Sequence, residues 1–262
     1  TSVNWSSPAV VLLCGGLILT LAMGMRHGFG LFLQPMTQAQ GWTRETFAFA
    51  MALQNLVWGL AQPFTGMLAD KFGAGKVLLV GAALYIAGLC VMALATSGAV
   101  FGWGSGVLIG LGLSGTTFSV VYGVIGRSFP PQKRSMALGI AGAAGSFGQF
   151  AMIPATQTLI SSFGWMETLL IMAVAAFAIV PLSSALIEKR EAVSPHKQQS
   201  IAEAVREAFA NKSFLLLTLG YFVCGFQVVF IGVHFPSYLI DQGFTARDGV
   251  ISLALIGLFN IV

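Results

Sequence analysis

Between two long apolar runs the chain reads GMLADKFGAGK, from Gly66 to Lys76. Asp70 stands at the end of one run, where a carboxylate can face the N-terminus of another helix. Gly66 admits a neighbouring helix, Gly73 and Gly75 turn the chain, and Lys71 and Lys76 hold the turn on one side of a membrane. A helix needs about 20 apolar residues to cross a bilayer core. Outward from this turn such runs recur at 8–34, 46–69, 77–97, 100–126, 135–161, 165–187 and 213–238. An eighth begins near Asp248 and is still apolar at Val262, so the sequence is expected to be a fragment. The predicted fold class is all-α, a polytopic membrane protein.

Composition agrees. Of 262 residues, 56% are apolar and 8% charged, against about 25% charged in a soluble domain. A soluble enzyme and a disordered tail are therefore excluded. Cys14, Cys90 and Cys224 all lie inside apolar runs, which argues against a disulfide framework. The basic residues punctuate the runs: Lys71, Lys76, Arg127, Lys133, Arg134, Lys189, Arg190, Lys197, Arg206 and Lys212 fall on one side, while only Arg44 and Arg247 fall on the other. That asymmetry predicts a cytoplasmic N-terminus, and basic loops beside a lipid bilayer in place of a nucleic-acid surface.

The one long polar segment, 188–212, reads as a Pro-broken linker and a short amphipathic helix with Ile201, Ala204, Val205 and Ala208 on one face. A repeat spans it. Gln40, Gly41 and Thr43 match Gln242, Gly243 and Thr245 at an offset of 202, and Gly30 matches Gly232 at the same offset. Arg44-Glu45 match Arg247-Asp248 after one insertion, and in each copy the acid opens an apolar helix. The expected organisation is a six-helix bundle over 1–187, a cytoplasmic linker over 188–212 and the start of a second bundle over 213–262. Twelve spans are expected in all, about seven and a half of them here.

The turn GMLADKFGAGK resembles the signature loop of the major facilitator superfamily, G-x-L-a-D-r-x-G-r-k, through Gly66, Leu68, Ala69, Asp70, Gly73 and Lys76, with Lys71 for the usual Arg. The stretch GRSFPPQKRSMALGIAGAAGSFG, Gly126 to Gly148, is similar to the same region of monocarboxylate porters and oxalate/formate antiporters. The terminal IGLFNIV, Ile256 to Val262, is similar to their eighth helix. This resemblance implies two parallel halves and alternating access. It implies a secondary active transporter of a small, monocarboxylate-like organic anion in a bacterial-type inner (plasma) membrane. A proton or a counter-anion is the implied coupled species.

Gly102, Gly106 and Gly110, and Gly139, Gly142, Gly145 and Gly148, form small-residue faces suited to helix packing or sliding. Gly110, Gly112 and Gly115 spell GxGxxG, but no strand precedes them, and no Walker A sequence exists, so neither nucleotide binding nor ATP hydrolysis is expected. No cofactor, no metal and no nucleophile–base set is expected, and the chain is not expected to be an enzyme.

Arg26 is the costly residue, at about 2.5–3.5 kcal/mol near a helix centre on insertion scales. Either it snorkels outward as an anchor or it faces a central cavity and pairs with an anion. The resemblance implies a functional cation near this point of the first helix, matched by Arg26 or His27. His27 either carries a proton or bonds a neighbouring helix. His234, seven residues past Gln227, is a further cavity candidate, and Asn55, Tyr122, Gln149 and Asn260 offer either cavity contacts or packing hydrogen bonds. All nine carboxylates sit at span ends or in loops, and Asn260 stands where the implied family pattern has an aspartate, which speaks against proton coupling. Alternatives kept open are an exporter of hydrophobic drugs and a non-transporting membrane receptor.

Overall fold

The computed structural model describes residues 7–187 and 201–261, all in helices and short connections with no strand among them. Residues 188–200 of the expected linker, Lys197 included, lie outside the described residues, as do the side chains of Ile201, Ala204 and Val205.

The elements are α1 (Pro8–Gln40), α2 (Arg44–Phe72), α3 (Ala74–Ala93), α4 (Gly98–Ser128), α5 (Pro131–Phe163), α6 (Trp165–Leu186), α7 (Ile201–Ala210), α8 (Lys212–Asp241) and α9 (Ala246–Phe259). Six of them, α1, α3, α4, α5, α6 and α8, are long and apolar enough to cross a membrane. With 29 residues α2 has the length without the apolarity. Its Gln54, Asn55 and Gln62 interrupt the apolar run, and the first two belong to the site described below.

The helix ends follow local chemistry. Pro8 opens α1 behind a Ser7 cap, whose hydroxyl oxygen accepts the Val10 N–H at 3.4 Å. Gly73 and Gly164, with φ of 94° and 89°, break the chain between α2 and α3 and between α5 and α6. The repeated loops share one geometry: Gly41 and Gly243 are left-handed, with φ of 67° and 85°. The matched threonines then start the next helices. Thr43 Oγ1 accepts the Thr46 N–H at 3.3 Å, whereas the Thr245 N–H and hydroxyl both donate to Asp248 Oδ2, at 2.8 and 2.7 Å.

Within the first six helices, α1 packs on α5, α3 on α4 and α6, and α2 on α4. Small residues set these crossings. A Cβ on Gly148 of α5 would lie 2.2 Å from the Thr20 carbonyl of α1. In the GxGxxG stretch, a Cβ on Gly112 would lie 2.7 Å from Tyr85 N and one on Gly115 3.0 Å from Gly81 Cα, so these glycines serve the α3–α4 contact. The periodic faces are only partly used, since Gly102 and Gly139 have no neighbour within 4 Å of where a Cβ would stand.

Two apolar clusters fill the bundle, one around Phe29, Phe47, Tyr85 and Phe101 and one around Ile18, Leu78, Val121 and Ile125. Helix α1 passes between them from Ala22 to Met25, one residue before Arg26. A third seam, with Leu31, Ile153, Val250 and Leu253, ties α9 to α1 and α5. Helix α8 packs on α9 and against the 3₁₀ turn Phe29–Phe32 that interrupts α1.

Candidate functional site

The α-helical backbone of α1 breaks after His27 into the 3₁₀ turn and resumes at Leu33. Arg26 therefore sits in the last helical turn before a break, with its side chain directed at α2. Its Nη2 donates to Asn55 Oδ1. The Asn55 amide is fixed for this task, because its Nδ2 donates to the Met51 carbonyl at 2.7 Å and leaves the oxygen for Arg26. The guanidinium lies over the Trp58 ring, 4.7 Å from the centroid. Trp58 is held by α4 in turn: its Nε1 donates to Thr117 Oγ1 at 3.1 Å, and that hydroxyl donates to the Leu113 carbonyl at 2.6 Å.

This cradle is neutral. Arg26 makes no ion pair with a described residue, and its buried Nε has no hydrogen-bond partner. An amide oxygen and an aromatic face satisfy part of a guanidinium without cancelling its charge. An anion would complete it by a bidentate contact.

The cavity beside Arg26 is lined by His27, Phe29, Gly30, Met51, Gln54 and Asn55 from α1 and α2, and by Val228, Val229, Gly232 and Val233 from α8. Its volume is about 20 Å³, room for about one water molecule. Gln54 belongs to the wall through a distortion in α4. The Gly102–Leu108 segment is π-helical, and Gln54 Nε2 donates to the Ser105 carbonyl there at 2.7 Å.

Of the residues singled out in the sequence, Arg26, His27 and Asn55 come together here. His27 bonds its own helix, through Nδ1 to the Met23 carbonyl at 2.7 Å, and not a neighbouring one. His234 lies against Phe230 with ring centroids 5.2 Å apart and planes tilted by 43°, and does not line the cavity. At about 100° per residue, Val228, Val229, Gly232 and Val233 share a face of α8, and Gln227 and His234 fall on the opposite one. Tyr122 packs edge-on against Phe118 and presents its hydroxyl to Gly142. Gln149 donates to the Leu253 carbonyl at 3.4 Å across the α5–α9 seam. Asn260 caps the end of α9 and is exposed.

The turn between α2 and α3 also departs from expectation in part. Gly73 turns the chain, but Gly75 is helical and packs on Ile187, and a Cβ on Gly66 would meet nothing within 4 Å. Asp70 Oδ1 accepts from Arg127 Nη1 of α4 at 3.1 Å. Lys71 Nζ lies 5.3 Å from the centre of the Phe72 ring, and Lys76 is exposed. On the far side of the molecule Arg44 of α2 makes a bidentate pair with Asp241 of α8, one contact at 2.8 Å. Those hydrogen bonds hold the Asp241 carboxyl below the usual carboxylate range.

The described residues thus form a bundle of long apolar helices in which a half-buried arginine without an ion pair stands beside a helix break. Residues 12–262 match the Major Facilitator Superfamily, and the chain belongs to that family. It is 26% identical over 241 residues to Monocarboxylate transporter 11 of Mus musculus, covering 90% of this chain and 54% of that protein. It is 24% identical over 259 residues to the Oxalate:formate antiporter of Oxalobacter formigenes, covering 96% of this chain and 59% of that protein. The chain thus spans little more than half the length of these relatives. Its fold is similar to the crystal structure of a bacterial homolog of the human lysosomal transporter Spinster, in an inward-facing and unoccupied conformation. The TM-score is 0.66 at 18% identity, over 98% of this chain and 60% of that one.

Proposed function

We propose that this chain belongs to a secondary active transporter that moves a small, monocarboxylate-like organic anion by alternating access across a plasma or bacterial inner membrane, with its N-terminus in the cytoplasm. Residues 1–187 form one moving bundle, 188–212 the cytoplasmic linker and 213–262 the opening of the second. The observation that carries this reading is Arg26, a half-buried permanent cation with an unpartnered Nε in a neutral cradle of Asn55 and Trp58. A substrate carboxylate supplies the missing partner on arrival, and a proton or counter-anion balances the cycle. Relatives named for monocarboxylates and for oxalate and formate support the substrate class.

The space at Arg26 holds about one water, so α8 must move relative to α1 before an organic anion reaches the guanidinium. The α1–α8 contact and the Arg44–Asp241 pair close this side of the molecule, and their opening is the motion alternating access requires. The test is uptake of labelled lactate, formate and oxalate by the full-length protein in proteoliposomes. Saturable uptake that Arg26→Lys weakens and Arg26→Gln abolishes, at equal folded protein, is expected. Undiminished uptake by Arg26→Gln would refute the reading.

A further inference from the structure

The offset of 202 that relates the two repeats has a consequence at the cavity. Arg26, His27 and Gly30 have Val228, Val229 and Gly232 as their equivalents, and all six line the same small space. The matched glycines meet there: a Cβ on Gly30 would lie 2.0 Å from the Gly232 carbonyl oxygen. Equivalent residues touch in this way only near the axis relating the repeats. A site on such an axis would be charged on both sides if the copies were alike. Here one copy supplies the guanidinium and the other supplies two branched alkyl side chains.

We infer that Val228 and Val229 are specificity-determining residues, forming the wall that receives the end of the substrate opposite its carboxylate. The inference rests on the reading of Arg26 as the anion partner. It narrows the substrate to a short monoanion with an unsubstituted alkyl end. A second carboxylate, aimed at the valines, would lose water without gaining a cation or a donor from them. An alkyl end loses only ordered water and gains contact. Chain length is limited by the same two side chains, because a pocket wall reads single methylenes by volume.

The experiment is calorimetric binding of butyrate, hexanoate and succinate to purified full-length protein, in the parent and three variants. The parent should bind butyrate at least about tenfold more tightly than succinate, which has the same number of carbons. Val228→Ala with Val229→Ala should raise hexanoate relative to butyrate by roughly tenfold. Val228→Thr with Val229→Thr, which keeps the side-chain shape, should weaken butyrate and shrink its advantage over succinate. Equal binding of succinate and butyrate by the parent, with Arg26→Gln losing both, would overturn the valine wall and leave the anion site intact. Unchanged butyrate binding in Arg26→Gln would instead overturn the anion site beneath it. Failure of the parent to bind any of the three, or an unchanged hexanoate-to-butyrate ratio in the alanine variant, would also overturn the wall.

Discussion

The two copies of the repeat agree at their loops and disagree at the cavity. Gly41 and Gly243 take the same left-handed conformation, and Thr43 and Thr245 start the next helices from matched positions. Fourteen to seventeen residues earlier in each copy, Arg26 and His27 stand opposite Val228 and Val229. The shared positions are those the backbone demands: a φ that favours glycine, a cap that satisfies an orphan N–H. The divergent positions line the cavity. Sequence is held where it makes the fold and varied where it lines this space.

The Gly30–Gly232 crossing offers the largest break of this comparison. The two glycines are equivalent by repeat but not by environment, since a Cβ on Gly30 would strike the Gly232 backbone while one on Gly232 would meet nothing within 4 Å. Gly30→Ala should therefore prevent the close approach of α1 to α8 and cut transport more than about tenfold, an overlap with backbone being one that side-chain repacking cannot relieve. Gly232→Ala should stay within about twofold, because a Cβ there meets no neighbour within 4 Å. Uptake at matched surface expression, with cross-linking between cysteines on α1 and α8, measures both.

Trp58 comes next. Replacement by Leu removes the ring under Arg26, and a cation–π contact of about 0.5–2 kcal/mol predicts roughly two- to thirtyfold weaker anion binding. Trp58→Phe should retain most of the affinity. Calorimetry with butyrate distinguishes the two, and an unaffected Trp58→Leu would make the ring mere packing.

The smallest effect belongs to the Arg44–Asp241 pair, whose side chains are 48% and 43% exposed. An exposed pair predicts a change below about fivefold in transport for Asp241→Asn. The Asp241 carboxyl is lowered in the folded protein by its hydrogen bonds to Arg44. Its contribution is thus fully present above the ordinary carboxylate range and is lost only as pH falls through the lowered value. Transport between pH 5 and 8 should show no step that Asp241→Asn removes, and a step there that disappears in the variant would contradict the assignment.

Much of this was legible in the sequence. The apolar runs gave the helices, α2 among them although Gln54, Asn55 and Gln62 interrupt its run. Arg26 announced itself as a charge inside an apolar run, and Asn55 as an amide inside another. Trp58, Val228 and Val229 did not, because aromatic and branched apolar residues are the commonest lipid-facing and core residues alike. Only the crossing of α1 with α8 assigns the two valines to the cavity, and only the contact with Arg26 brings Trp58 to the site. Spacing relates His234 to Gln227 but does not say which side of α8 meets α1, and the side that does leaves His234 outside the cavity lining. No described residue comes within 4 Å of where a Cβ on Gly66 would stand.

The central claim is that Arg26 is the partner of the transported anion, and it is tested most directly by calorimetric titration of butyrate into the purified full-length parent and Arg26→Gln. Loss of charged hydrogen bonds of about 1.5–3 kcal/mol each predicts at least a tenfold fall in affinity, with circular dichroism and thermal unfolding of the variant unchanged. Equal affinity in the two proteins would contradict the account and make Arg26 an anchor.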